Sequence, residues 1–168
     1  MNELHFPWIE AAIVIPLLGA LVVRRLPRAD QARRASVVVT GLASACTMGA
    51  WQDFILVHSF EATDRWDLTT WLTGRPWFVL DELSAPLLWL TGLLYFFTCV
   101  ATLRTKIRRF SFALTLVSLS LTLALVCCKE PWGIIALLVA GTIPPWIELR
   151  VRRRSTRLYV IHMLLRYR

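Results

Sequence analysis

"DELSAPLLWLTGLLYFFTCVATLRTKIRR", Asp81 to Arg109, decides how the chain folds. Leu83–Leu103 carries no charge, and a helix crossing a hydrocarbon core takes about 20 residues. Two acids stand before this run and four basic residues follow it. A water-soluble helix would alternate polar and apolar faces along its length. This one is apolar all round and charged only beyond its ends.

Four further apolar runs can be read: Trp8–Val23, Ala35–Trp51 with its continuation to Val57, Phe110–Cys128 and Pro131–Leu149. Hydrophobic residues make up 57% of the 168-residue chain and mean hydropathy is +0.57. Soluble domains run at roughly 45–50% apolar. The pattern predicts an all-α polytopic integral membrane protein with about five transmembrane helices. Spans fall near 8–23, 35–57, 83–103, 110–128 and 131–149, with an outer loop over 58–82. Residues 1–149 form the helix bundle, and 150–168 a basic cytoplasmic tail or an aborted sixth helix. The first run is short, but Glu3 and Glu10 at its front and "RRLPR" behind it oppose the charge order of a cleaved leader.

Charge sets orientation. The segment 24–34 holds five arginines, the loop "RTKIRR" four basic residues, and the chain beyond Glu148 seven arginines. The segment 52–82 carries six acids against Arg65 and Arg75. With the amino end outside and five crossings, 16 of the 19 basic residues face the cytoplasm. Lys and Arg hold a loop on the cytoplasmic side. The carboxyl end is then cytoplasmic, and the chain a multi-pass protein of the inner (cytoplasmic) membrane. Because the basic clusters flank apolar runs, they meet anionic lipid headgroups rather than nucleic acid. Arg152, Arg153 and Arg154 are the foremost lipid-facing cluster.

Within the spans, Ser111, Thr115, Ser118 and Thr122 share one helical face, while Ser120 points elsewhere. Such a stripe serves close helix packing or a hydrated path. A charged residue at mid-depth costs at least about 2.5–3.5 kcal/mol, and none is present there. Glu148 lies at the inner end of the fifth run, two residues before Arg150, and reads as an interfacial acid. Pro144 and Pro145 remove backbone donors just before it, so a helix break is expected there. The four cysteines and the scattered His5, His58 and His162 show no metal-ligand spacing, and no phosphate loop or nucleophile elbow is present. No catalytic centre and no metal site are expected.

"LDELSAPLLWLTGLLYFFTCVATLRTK", Leu80–Lys106, resembles the third-helix region of the antiporter-like proton-pumping subunits of NADH-quinone oxidoreductase, in particular the chain M type. That family places Asp-Gly-Leu-Ser at the mouth of this helix. Asp81, Leu83 and Ser84 match, and Glu82 departs from Gly. "PWGIIALLVAGTIPPWIELR" sits where the family has its fifth helix, and "STRLYVIHMLL" resembles the start of the next. The resemblance covers the amino-terminal part of such a subunit.

It implies that Asp81, Glu82, Ser84 and Glu148 are the family-motif or proton-related candidates. Other membrane subunits of a proton-conducting complex are the implied partners, with NADH and quinone reached only through them and no cofactor bound directly. The family's fifth helix carries a proton-transferring glutamate before its proline. The corresponding position here is Leu138 or Val139, neither of which holds a proton. The expectation is a truncated chain M-like subunit of a proton-translocating NADH-quinone oxidoreductase or related antiporter complex that does not pump alone. The alternative is a small non-catalytic membrane scaffold or interaction protein, or an inactive gene remnant.

Overall fold

The computed structural model describes residues 3–57, 60–64, 74, 76–102 and 111–151. Its helices are α1 (Trp8–Arg25), α2 (Ala29–Val57), α3 (Ser84–Ala101), α4 (Phe112–Cys127), α5 (Pro131–Gly141) and α6 (Ile143–Val151). Three short strands join them: β1 (Glu3–Leu4), β2 (Glu61–Asp64) and β3 (Leu80–Asp81).

The helices α1 to α4 form a ring in which α1 packs on α2 and α4, and α3 packs on α2 and α4. The inner face of α2 explains how closely they approach. Ser36, Thr40, Ala43, Thr47 and Ala50 are all fully buried, at steps of four and three residues. That spacing lines one helical stripe, and its side chains are small. The hydroxyls satisfy themselves locally: Ser36 donates to the Ala32 carbonyl at 2.7 Å and Thr40 to that of Ser36 at 2.8 Å. Gly92 of α3 faces this stripe, where a Cβ would lie 2.7 Å from Thr47 Oγ1 and 3.2 Å from Ser44 Cα. Toward the end of the bundle that carries the strands, Trp51 stacks on Trp89 with ring centroids 5.3 Å apart.

Large apolar side chains cover much of the outside, among them Leu18, Leu21, Val38, Leu90 and Leu94. Among the described residues, two helical stretches are long and apolar enough to cross a membrane, Ser84–Ala101 and Pro131–Arg150. Phe112–Cys127 is apolar but shorter. The 18-residue α1 carries Glu10, Arg24 and Arg25, and α2 carries Asp30 and Asp53 toward its two ends.

The loop expected over 58–82 contributes strands. β1 pairs parallel with β2, matching Leu4 to Asp64, and β2 pairs antiparallel with β3, matching Ala62 to Leu80. Beyond β3's edge, Val79 N–H donates to the Cys127 carbonyl at 2.8 Å and Lys129 N–H to that of Trp77 at 2.9 Å. The cap forms because backbone donors left at helix ends and in loops need partners. Leu4, Ala62 and Leu80 supply its apolar underside, each at most 1% exposed. The tail 152–168, the basic loop 103–110 and residues 65–73 lie outside the described residues.

Candidate functional site at the strand-capped end of the bundle

The Asp81–Ser84 motif is a helix start. Asp81 Oδ1 accepts the backbone N–H of Ser84 at 2.6 Å and of Leu83 at 3.1 Å. Ser84 Oγ in turn accepts the Asp81 N–H at 2.8 Å. This reciprocal arrangement satisfies donors that the first turn of a helix leaves open. Burial pushes the Asp81 carboxyl up, but the Ser84 N–H and hydroxyl, the Leu83 N–H and the Lys129 ammonium outweigh it and hold the group below its ordinary value. Glu82, the departure from the family's glycine, is an exposed turn residue.

Other acids at this end do structural work that the sequence did not reveal. Asp64 of β2 is buried, and its Oδ2 accepts the N–H of Ile9 at 2.7 Å and of Glu10 at 3.2 Å. A carboxylate there complements the positive end of α1. Asp53 of α2 is also buried and takes both the backbone N–H of His5, at 2.8 Å, and the His5 ring Nδ1, at 2.7 Å. Glu10, at the front of the first apolar run, lies in the first turn of α1 with both carboxyl oxygens shielded from solvent. Lys129 closes the cap from the α4–α5 side with an ion pair to Glu61. No local pattern in the sequence could have joined Asp64 to Ile9 or Asp53 to His5, which are separated by 55 and 48 positions.

The remaining candidates are elsewhere. Glu148 is half-buried in α6, and the Arg150 guanidinium carbon sits 5.2 Å from the centroid of the Trp146 ring. Arg152, Arg153 and Arg154 lie outside the described residues. The break near the prolines falls at Thr142, whose N–H and hydroxyl both turn back to the Val139 carbonyl. Pro144 and Pro145 then stand in the first turn of α6, where a missing donor is tolerated. Beside this break a groove of about 280 Å³ opens between α3, α4 and α5–α6. Tyr95, Ser118, Thr122, Leu138, Gly141 and Thr142 line it. Tyr95 Oη lies 3.4 Å from Thr122 Oγ1, which itself donates to the Ser118 carbonyl. Ser118 and Thr122 of the α4 hydroxyl stripe therefore share this groove with Leu138.

No family model matches the chain, and no solved structure matches it. One similar protein is NAD(P)H-quinone oxidoreductase chain 4 1 of Synechococcus sp. (strain JA-3-3Ab). The two are 32% identical over 122 residues, covering 68% of this chain and 23% of that one. The chain thus spans about a quarter of the length of the curated relative it matches, and its relationship to this oxidoreductase subunit is a distant one.

Proposed function

We propose that the chain is a chain M-like membrane subunit of a proton-translocating NADH-quinone oxidoreductase or a related antiporter complex. The observation that carries this reading is the 122-residue similarity to an NAD(P)H-quinone oxidoreductase chain 4. The Asp81–Ser84 helix start supports it, since the similar motif of the antiporter-like family opens a membrane helix. In this reading five segments cross the cytoplasmic membrane, α5 and α6 together making the fifth, with the amino end outside and the basic loops against anionic lipid. NADH and quinone are handled by partner subunits.

The chain does not pump protons by itself. A proton path needs titratable groups or ordered water at intervals through the membrane, and Leu138 or Val139 occupies the place of the family's glutamate. That same lack favours the second reading, a non-catalytic membrane scaffold. Purification of the tagged protein from its own membranes in mild detergent separates the two. Recovery in a large assembly with quinone-reductase or antiporter subunits is the expected result. Recovery without them leaves the scaffold reading. Reporter fusions after Arg28 and after Glu130 test the topology, the first reporting cytoplasm and the second the outside.

A further inference from the structure

One edge of the strand cap gathers apolar side chains that the bundle leaves open. Phe60, Trp132 and Leu83 are the three most exposed large hydrophobic side chains among the described residues, at 83%, 76% and 72%. They come from three segments far apart in sequence, which the cap brings together. Phe60 stands one position before β2, whose Glu61 is in register with Asp81 of β3. Leu83 follows Asp81 by two positions, as the residue before α3. Lys129, ion-paired to Glu61, precedes Trp132 in the first turn of α5 by three. Apolar residues scattered singly on a surface need no explanation, but a cluster of the most exposed ones does.

Charge alternates with these side chains. Glu61 adjoins Phe60, Glu82 adjoins Leu83, and Glu130 stands two positions before Trp132, with Lys129 as the cation. Three environments do not suit this mixture. Bulk water leaves the large side chains hydrated, against the hydrophobic effect. The hydrocarbon core accepts them but not Glu82 or the exposed Lys129–Glu61 pair, since charge at depth is costly. The core of a protein interface is depleted in charged residues, which would have to be desolvated there. We infer that this edge of the cap is a lipid-anchoring surface, seated at the boundary between phospholipid headgroups and acyl chains. Phe60, Leu83 and Trp132 enter the acyl side. The indole N–H of Trp132 can bond headgroup oxygens, the balance that makes Trp common at membrane interfaces. The carboxylates of Glu82 and Glu130 stay hydrated among the ammonium groups of zwitterionic lipids. The anchor fixes the depth at which the strand-capped end sits. The inference rests on the membrane-embedded reading above.

Photo-crosslinking tests it on the full chain in its own membranes. The photoreactive p-benzoylphenylalanine replaces Phe60 or Leu83, with Leu21 and Leu94 as exposed controls within α1 and α3, in cells grown on radiolabelled phosphate. Trp132 takes the place of either cap position if that variant fails to accumulate. Illumination at Phe60 and Leu83 is expected to give phosphate-labelled lipid adducts in several-fold excess over protein adducts. Protein adducts in excess would mean that a partner chain docks on this edge, and would overturn the inference. No adduct at either position would mean that the edge faces water, and would overturn it as well. Depth is read separately, on the purified full chain in vesicles, as the fluorescence lost with Trp132→Phe. Lipid brominated near the glycerol should quench that component more strongly than lipid brominated near the chain ends. The reverse order would place Trp132 in the hydrocarbon interior and sink the boundary assignment. Lipid adducts absent from both Leu21 and Leu94 would instead remove the membrane premise, a failure distinct from the others.

Discussion

Ser120 of α4 donates its hydroxyl to the Ile13 carbonyl of α1 at 2.8 Å, across 107 positions of sequence. It is the α4 hydroxyl that lies off the Ser111–Thr122 stripe, and it is 1% exposed. Ser118 and Thr122 of that stripe line the groove, while Ser120 ties two neighbours of the ring together. Ser120→Ala is expected to cost about 0.5–1.5 kcal/mol, the net worth of one hydrogen bond. Reversible unfolding in mixed micelles measures it. The same measurement on Ser118→Ala should show less than half that loss.

Asp64 anchors the start of α1 from a strand more than fifty residues away. Asp64→Ala removes the acceptor for two helix N–H groups, at a cost of about 0.5–2 kcal/mol. Amide hydrogen exchange of Ile9 and Glu10 should accelerate in this variant, with exchange in the middle of α3 unchanged. Equal acceleration throughout would mean that Asp64 supports the whole bundle rather than the cap.

Asp81 makes stability depend on acid. Its folded-state value lies below the ordinary one, so its contribution is fully present above the unfolded carboxyl value of about 3.9. The contribution is lost as pH falls through the lower, folded value. Wild type should therefore exceed Asp81→Asn in melting temperature at pH 7, and the gap should close below pH 4. A gap independent of pH would show that the amide fails for geometric reasons instead.

Gly92 fixes the spacing of α2 and α3. Gly92→Ala puts a Cβ against Thr47 Oγ1 and the Ser44 backbone, and overpacking of this kind costs about 1–3 kcal/mol. Thr47→Ala in the same chain should recover part of the loss but not all, since the Ser44 backbone cannot move aside alone. Thermal unfolding of the single and double variants in detergent reads the coupling.

The helices were legible because each rests on a local pattern. Apolar runs ending in charge lie within two residues of the observed limits of α1, α3 and α4, whereas α2 begins six residues before its run and the fifth run divides into α5 and α6. Asp81 and Ser84 were singled out by the family resemblance as proton-related candidates, and their part as a helix start, a pattern written within three residues, went unread. The cap was not legible either. Two-residue strands have no periodicity to read, and the register of Leu4 against Asp64 depends on two helices having already turned back. Asp53, Asp64 and Glu10 look like ordinary acids at apolar boundaries, and only tertiary contact gives them roles. The break at Thr142 was displaced from the prolines that cause it because a missing N–H frees a carbonyl one turn earlier.

The bond between Asp64 and the first turn of α1 also sets an order of assembly. When Ile9 and Glu10 leave the ribosome, the residue that completes their helix is still more than fifty positions from being made. β1 likewise has no partner until β2 arrives. The α1–α2 hairpin is therefore made first with an unfinished end, and translation of the residues after α2 finishes it. A pause or cleavage between Val57 and Asp64 would strand two helices whose open end is held by solvent alone.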